Sequence, residues 1–126
     1  MADVRGHLPR GPAGVVRAAK WSLLGLRAAW LHESSFRLEV YLLVVLGPLG
    51  WYLGQTGVER ALLIGSCLPV LAMELMNSSM EAVIERFGPE RHELAGRAKD
   101  MGSAAVFVLM MNVVLVWALL LLPRWT

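Results

Sequence analysis

The residues best suited to chemistry form one run, Glu74-Leu-Met-Asn77-Ser78-Ser79-Met-Glu81-Ala-Val-Ile-Glu85, set in an otherwise apolar stretch. At the helical period, Glu74, Asn77, Ser78, Glu81 and Glu85 share one face, with Glu81 and Glu85 within about 20° of Glu74. Glu74 lies roughly 10 Å along the axis from Glu81. If the stretch crosses a bilayer, a charge that deep costs on the order of 3 kcal/mol, a cost that points to function. A desolvated carboxylate at Glu74 suits a general base, whereas Glu81, nearer the surface, suits a hard oxygen ligand for Mg²⁺. The same polar stripe would equally serve to hydrogen-bond neighbouring helices in a bundle.

Other polar residues have both an active and a plain reading. Glu33, Arg37 and Glu39 precede an apolar segment and read by default as a solvated helix face at the membrane surface. Asn112 and Ser103 lie in or beside another apolar segment, where a bond between helices accounts for them. The run from Arg86 to Asp100 is crowded with charge, and Gly88-Pro89 should stop the preceding helix before Glu90–Lys99 begins another. It would bind phosphates or act as a solvated connection. His92-Glu93 lacks the second histidine of a zinc site, and neither a P-loop nor a G-x-G-x-x-G loop occurs. Phosphoryl transfer needs a divalent ion, cations on the transferring oxygens and a positioned base; Glu33 with Glu81, Lys99, and Glu74 can supply them in that order.

The elements that must hold these residues are membrane helices. In 126 residues, 56% are hydrophobic and only 17% charged, and the mean hydropathy is +0.54. So small a sphere cannot hide that much apolar surface, which excludes a soluble globule. Residues 40–58 and 101–123 carry no charge, and 61–84 is interrupted only by Glu74 and Glu81. Each is long enough to span the hydrocarbon core. Residues 15–31 are too charged to cross, with Arg17, Lys20 and Arg27 on one side and Val15, Val16, Leu23, Leu26 and Trp30 on others, as an interfacial helix requires.

Ten of the 12 Lys and Arg precede the first span or fall between the second and third, leaving Arg60 and Arg124 opposite. That places the N-terminus and the 85–100 loop in the cytoplasm and the C-terminus across the membrane. A net charge of +2, scattered along the chain, gives no footprint for nucleic acid. The first ten residues lack the apolar stretch of a signal peptide, so the first span is expected to persist in the mature protein. Pro48 should bend that span, and Gly50 with Gly54 makes a small-residue face for a neighbouring helix. Cys67, the sole cysteine, reads as buried packing. No repeat or linker divides the chain, so residues 1–126 form one domain.

The run ELMNSSMEAVIERFGPERHELAGRAKDMGSAAV from Glu74, and LRAAWLHESSFRLE from Leu26 to Glu39, closely resemble the prokaryotic diacylglycerol kinase family of small integral-membrane lipid kinases. The likeness covers roughly residues 18–117. It implies an all-α membrane protein, an N-terminal amphipathic surface helix plus three transmembrane helices in a homotrimer with shared active sites. By motif match Glu74 is the catalytic base, and Glu33 and Glu81 are ligands of the Mg²⁺ bound with ATP. Trp21, Glu90, Arg91, His92, Lys99 and Asp100 match positions around the nucleotide, and Ser35, Arg37, Glu39, Ser103 and Trp117 match positions near the lipid. The chain departs from a familiar relative at Trp21, a tyrosine there, at Glu85, an aspartate, and at Gly14, an arginine near the phosphates.

Residues and resemblance together predict an inner-membrane kinase that moves the ATP γ-phosphoryl group onto diacylglycerol to give phosphatidic acid. Undecaprenol is the alternative acceptor, since related proteins of this architecture phosphorylate it with the same carboxylate chemistry. A non-catalytic membrane subunit, its polar stripe used only for packing, is the alternative of another class.

Overall fold

The computed structural model describes residues 11–88 and 92–125, which are helical throughout apart from short turns and caps. The chain divides into two compact units between Glu33 and Ser34.

The first unit holds α1, Pro12–His32. Gly11 caps it at φ 83°, a left-handed conformation that suits glycine, and Pro12 in the first turn supplies a preset φ where no N–H is needed. At the other end Glu33 turns extended while its N–H still bonds the Ala29 carbonyl at 2.8 Å. Arg17, Lys20 and Arg27 are exposed, and so are Val15, Val16 and Leu23. A helix with both faces bare fits the water–lipid boundary better than water alone.

The second unit is a helical bundle: α2, Ser34–Leu53; α3, Gly57–Gly65; α4, Leu68–Arg86; and α5, Glu93–Leu121, ending in a 3-10 turn at Leu122–Arg124. Three helical stretches are long and apolar enough to cross a membrane: Ser34–Leu53, Gly57–Arg86 and Glu93–Arg124. Their core is thin, built on Phe36, Leu63, Cys67, Val70 and Val106, while Val44, Val45, Phe107, Val114 and Leu115 face outward. That outward apolar surface is what lipid tails would cover.

The boundaries differ from those read in the sequence, for local reasons. The first span begins at Ser34 and ends at Leu53, because Gly54 closes the helix and Thr56 opens the next, its side chain accepting from the Glu59 N–H at 3.1 Å. Val58 therefore belongs to α3. Arg60 donates to the Trp51 carbonyl at 2.9 Å and lies over the Trp51 ring, and Arg124 donates to the Leu53 carbonyl at 2.7 Å while pairing with Glu59. Arg60 and Arg124 thus cap carbonyls that the end of α2 leaves open. The last span likewise starts earlier than the apolar pattern, since the charged segment from Glu93 is its first turns. α2 runs on through Pro48.

The middle span is broken. Pro69 has no N–H to return to Gly65, and Cys67 bonds Ile64 instead of Leu63. The Leu63 carbonyl instead accepts the Trp117 indole N–H at 3.0 Å, with the Ser66 hydroxyl at 3.0 Å and the Cys67 thiol at 3.5 Å. In hydrocarbon such a carbonyl cannot turn to water, so these donors make the break tolerable. Gly50 packs where α2 meets this point: a Cβ there would come within 3.2 Å of Leu63 and Ile64. The small face expected at Gly50 and Gly54 is used, and Cys67 is buried.

Candidate active site

The polar face of α4 is graded by depth. Glu74 and Ser78 are buried, Asn77 and Glu81 are half-buried, and Glu85 is exposed. The antiparallel α5 supplies the opposing wall, approaching so closely at Gly102 that a Cβ would overlap the Asn77 amide oxygen. From that contact Glu81 lies four residues further along α4 and Lys99 three residues back along α5. Both therefore sit roughly one turn, 5–6 Å, toward the same end.

Glu39 departs from the default reading of a solvated helix face: it is 6% exposed, as buried as Glu74, also 6%, and only the family likeness had set it apart. Because α2 starts at Ser34, Glu39 lies more than a turn inside the helix, and its carboxyl comes within hydrogen-bonding reach of Glu74. The other Glu39 oxygen, Oε2, is buried with no hydrogen-bond partner, and so is Oδ1 of Asn77. Asn77 was read only as part of the stripe; its spacing to Glu74 was visible, but its opposition to Gly102 was not.

The remaining sequence-derived residues fall in several places. Ser35 is exposed in the first turn of α2, with Arg37 half-buried beside it. Lys99, Asp100 and Ser103 are exposed on the early turns of α5. His92 is the N-cap of α5, its Nδ1 accepting from the Leu94 N–H at 3.1 Å. Trp117 is held at Leu63, eleven residues before Glu74 in the chain and on the far side of the break. Trp21, half-buried on α1, and Glu33 at its C-terminal cap lie in the first unit. Glu90 and Arg91 lie outside the described residues.

Among the described residues no cluster of three acidic, histidine or cysteine side chains could hold a metal by itself. A nucleotide-borne Mg²⁺ does not need one, because phosphates and water fill most of its octahedron. Neither Glu33 nor Glu81 has an ion-pair partner among the described residues, which leaves their carboxylates open to such an ion.

A family model for prokaryotic diacylglycerol kinase matches residues 20–121. A diacylglycerol kinase of Haemophilus influenzae is 48% identical over 107 residues, 85% of this chain and 91% of the relative. One of Escherichia coli K12 is 44% identical over 107 residues, 85% and 88% of the two chains. A third, of Pseudomonas aeruginosa, is 45% identical over 108 residues, 86% and 88%.

Proposed function

The chain belongs to the prokaryotic diacylglycerol kinase family, and from that premise we propose that it transfers the γ-phosphoryl group of ATP to the free hydroxyl of diacylglycerol, giving phosphatidic acid and ADP. The observation that carries this reading is the buried Glu39–Glu74 carboxyl pair within the membrane-spanning helices, at the head of a polar face that grows more exposed toward Glu81 and Glu85. A lipid hydroxyl reaches that depth from the bilayer, whereas ATP does not.

Glu74 takes the hydroxyl proton as the oxygen attacks the γ-phosphorus and the bond to the bridging oxygen of ADP breaks. Glu39 holds the Glu74 carboxyl in place from α2. Lys99, with Asp100 and His92 nearby in the chain, serves the phosphates, as Trp21, Glu90 and Arg91 do by family likeness. Ser35, Arg37 and Ser103 serve the lipid head. Glu33 and Glu81 are the residues that would hold Mg²⁺ with ATP; the ion, when bound, neutralises phosphate charge.

The protein is further proposed to lie in the bacterial inner membrane, N-terminus and the 85–100 segment cytoplasmic and C-terminus periplasmic, as a homotrimer. Incubating the purified chain in lipid micelles with γ-labelled ATP and either dioleoylglycerol or undecaprenol tests the activity. Labelled phosphatidic acid is the expected product. Transfer only to undecaprenol, or to neither, overturns the proposal.

A further inference from the structure

Between α2, α4 and α5 the second unit contains a partly open cavity of about 250 Å³. Glu39 stands at one end, and the walls include Leu46 of α2, Cys67 and Val70 at the start of α4, and Met110 and Val113 of α5. Apart from Glu39 these walls are apolar, and they lie inside the spans. Glu39, more than nine-tenths buried, is the one ionisable carboxyl in this lining, and its contact with Glu74 joins the cavity to the polar face of α4.

Two measures of size agree. Leu46 lies seven residues beyond Glu39 and Cys67 seven before Glu74, so the cavity runs roughly 10 Å inward from the carboxyl pair. An extended chain advances roughly 1.2 Å per bond, which gives about eight carbons over that depth. At roughly 30 Å³ for each methylene-sized group, the volume also corresponds to about eight. The inner end coincides with the break before Pro69, where Gly50, Leu63 and Trp117 close the bundle.

We propose that this cavity is a chain-length gauge: it takes the first eight or so carbons of one hydrocarbon tail of the acceptor lipid, whose hydroxyl end stops at the Glu39–Glu74 pair, where Glu74 receives its proton. The inference rests on the kinase reading above and adds the residues that set acceptor preference. Every bilayer lipid offers a tail of equal apolarity, so burial alone cannot select. The acceptor is distinguished by carrying a neutral hydroxyl at the depth of the Glu39–Glu74 pair, where a phospholipid would bring a phosphate.

Val70 lies four residues, roughly 6 Å, inward of Glu74, so a four-carbon tail stops above it and an eight-carbon tail must pass it. The test compares kcat/KM for dibutyryl-, dioctanoyl- and dioleoylglycerol in the unaltered chain and in Val70→Phe, with Leu46→Phe as a second filling from the opposite wall. In the unaltered chain dioctanoylglycerol is expected to exceed dibutyrylglycerol at least fivefold. Either filled variant that folds, judged by retained ATP binding, is expected to lower the dioctanoyl-to-dibutyryl ratio at least fivefold. A ratio unchanged in a folded variant, or no length preference in the unaltered chain, overturns the gauge while leaving the kinase intact. No transfer to any diacylglycerol by the unaltered chain overturns the activity itself, and the gauge with it.

Discussion

Glu74 and Glu39 are equally buried, but a neutral amide takes different things from them. Glu74→Gln keeps shape and hydrogen-bonding reach while removing the proton acceptor, so single-turnover phosphoryl transfer is expected to fall roughly a hundredfold or more with ATP binding retained. Glu39→Gln still offers a donor to Glu74 and is expected to lose about tenfold or less, whereas Glu39→Ala leaves Glu74 unsupported and loses more. If Glu39→Gln is as slow as Glu74→Gln, the roles of the two carboxyls are reversed. Glu81→Gln, by contrast, is expected to raise the Mg²⁺ concentration needed for half-maximal rate, since one or two protein carboxylates hold such an ion. Titration of the rate against Mg²⁺ at saturating ATP measures it, and an unchanged requirement removes Glu81 from the ion. The helical period was enough to put Glu74 and Glu81 on one face. It said nothing of Glu39, because only the crossing of α2 over α4 buries that side chain, and no local pattern encodes which residue of one helix meets another.

Among the elements, the α4–α5 contact and the break in the middle span carry the site. Gly102→Ala would drive a methyl group into Asn77, and overpacking of this kind costs typically 1–3 kcal/mol. A lower thermal midpoint in detergent is the expected outcome, and an unchanged midpoint would mean that Asn77 swings away freely. Trp117→Phe removes the indole donor from the Leu63 carbonyl, a loss of about 1 kcal/mol. It is expected to lower thermal stability and leave the KM for diacylglycerol nearly unchanged. The opposite pattern would favour the lipid-facing role that family likeness gives Trp117. The break itself was half legible: Gly65 and Pro69 were there to be read, but the apolar run from Ala61 looked continuous because hydropathy registers side chains and not a missing N–H. The charged start of α5 was legible as a helix beginning within Glu90–Lys99, but its unbroken run into the last span was not, since the apolar pattern begins only at Met101.

At the scale of the whole molecule, composition alone requires a membrane, and charge asymmetry gives it a direction. A reporter after Thr126 is expected to be periplasmic and a tag before Met1 cytoplasmic, as protease protection in sealed vesicles would show; a cytoplasmic C-terminus would break the three-span arrangement. Arg60 and Arg124, the two arginines expected on the outer side, are already committed, Arg60 to Trp51 and Arg124 to Leu53 and Glu59, so they would offer little free positive charge there. The pairing of Glu74 with α2 and of Asn77 with α5 also bears on how the chain enters the bilayer during synthesis. The middle span leaves the ribosome carrying Glu59, Glu74, Glu81 and Glu85, a proline and an amide, and it is far less apolar than the span that follows. Its predecessor is already inserted and can receive Glu74, but the wall that receives Asn77 has not yet been made. The middle helix should therefore linger at the insertion machinery until its successor arrives, the two entering as a hairpin. A nascent chain stopped after Met101 should leave that helix accessible to water-soluble probes, and the same chain extended through Trp125 should not.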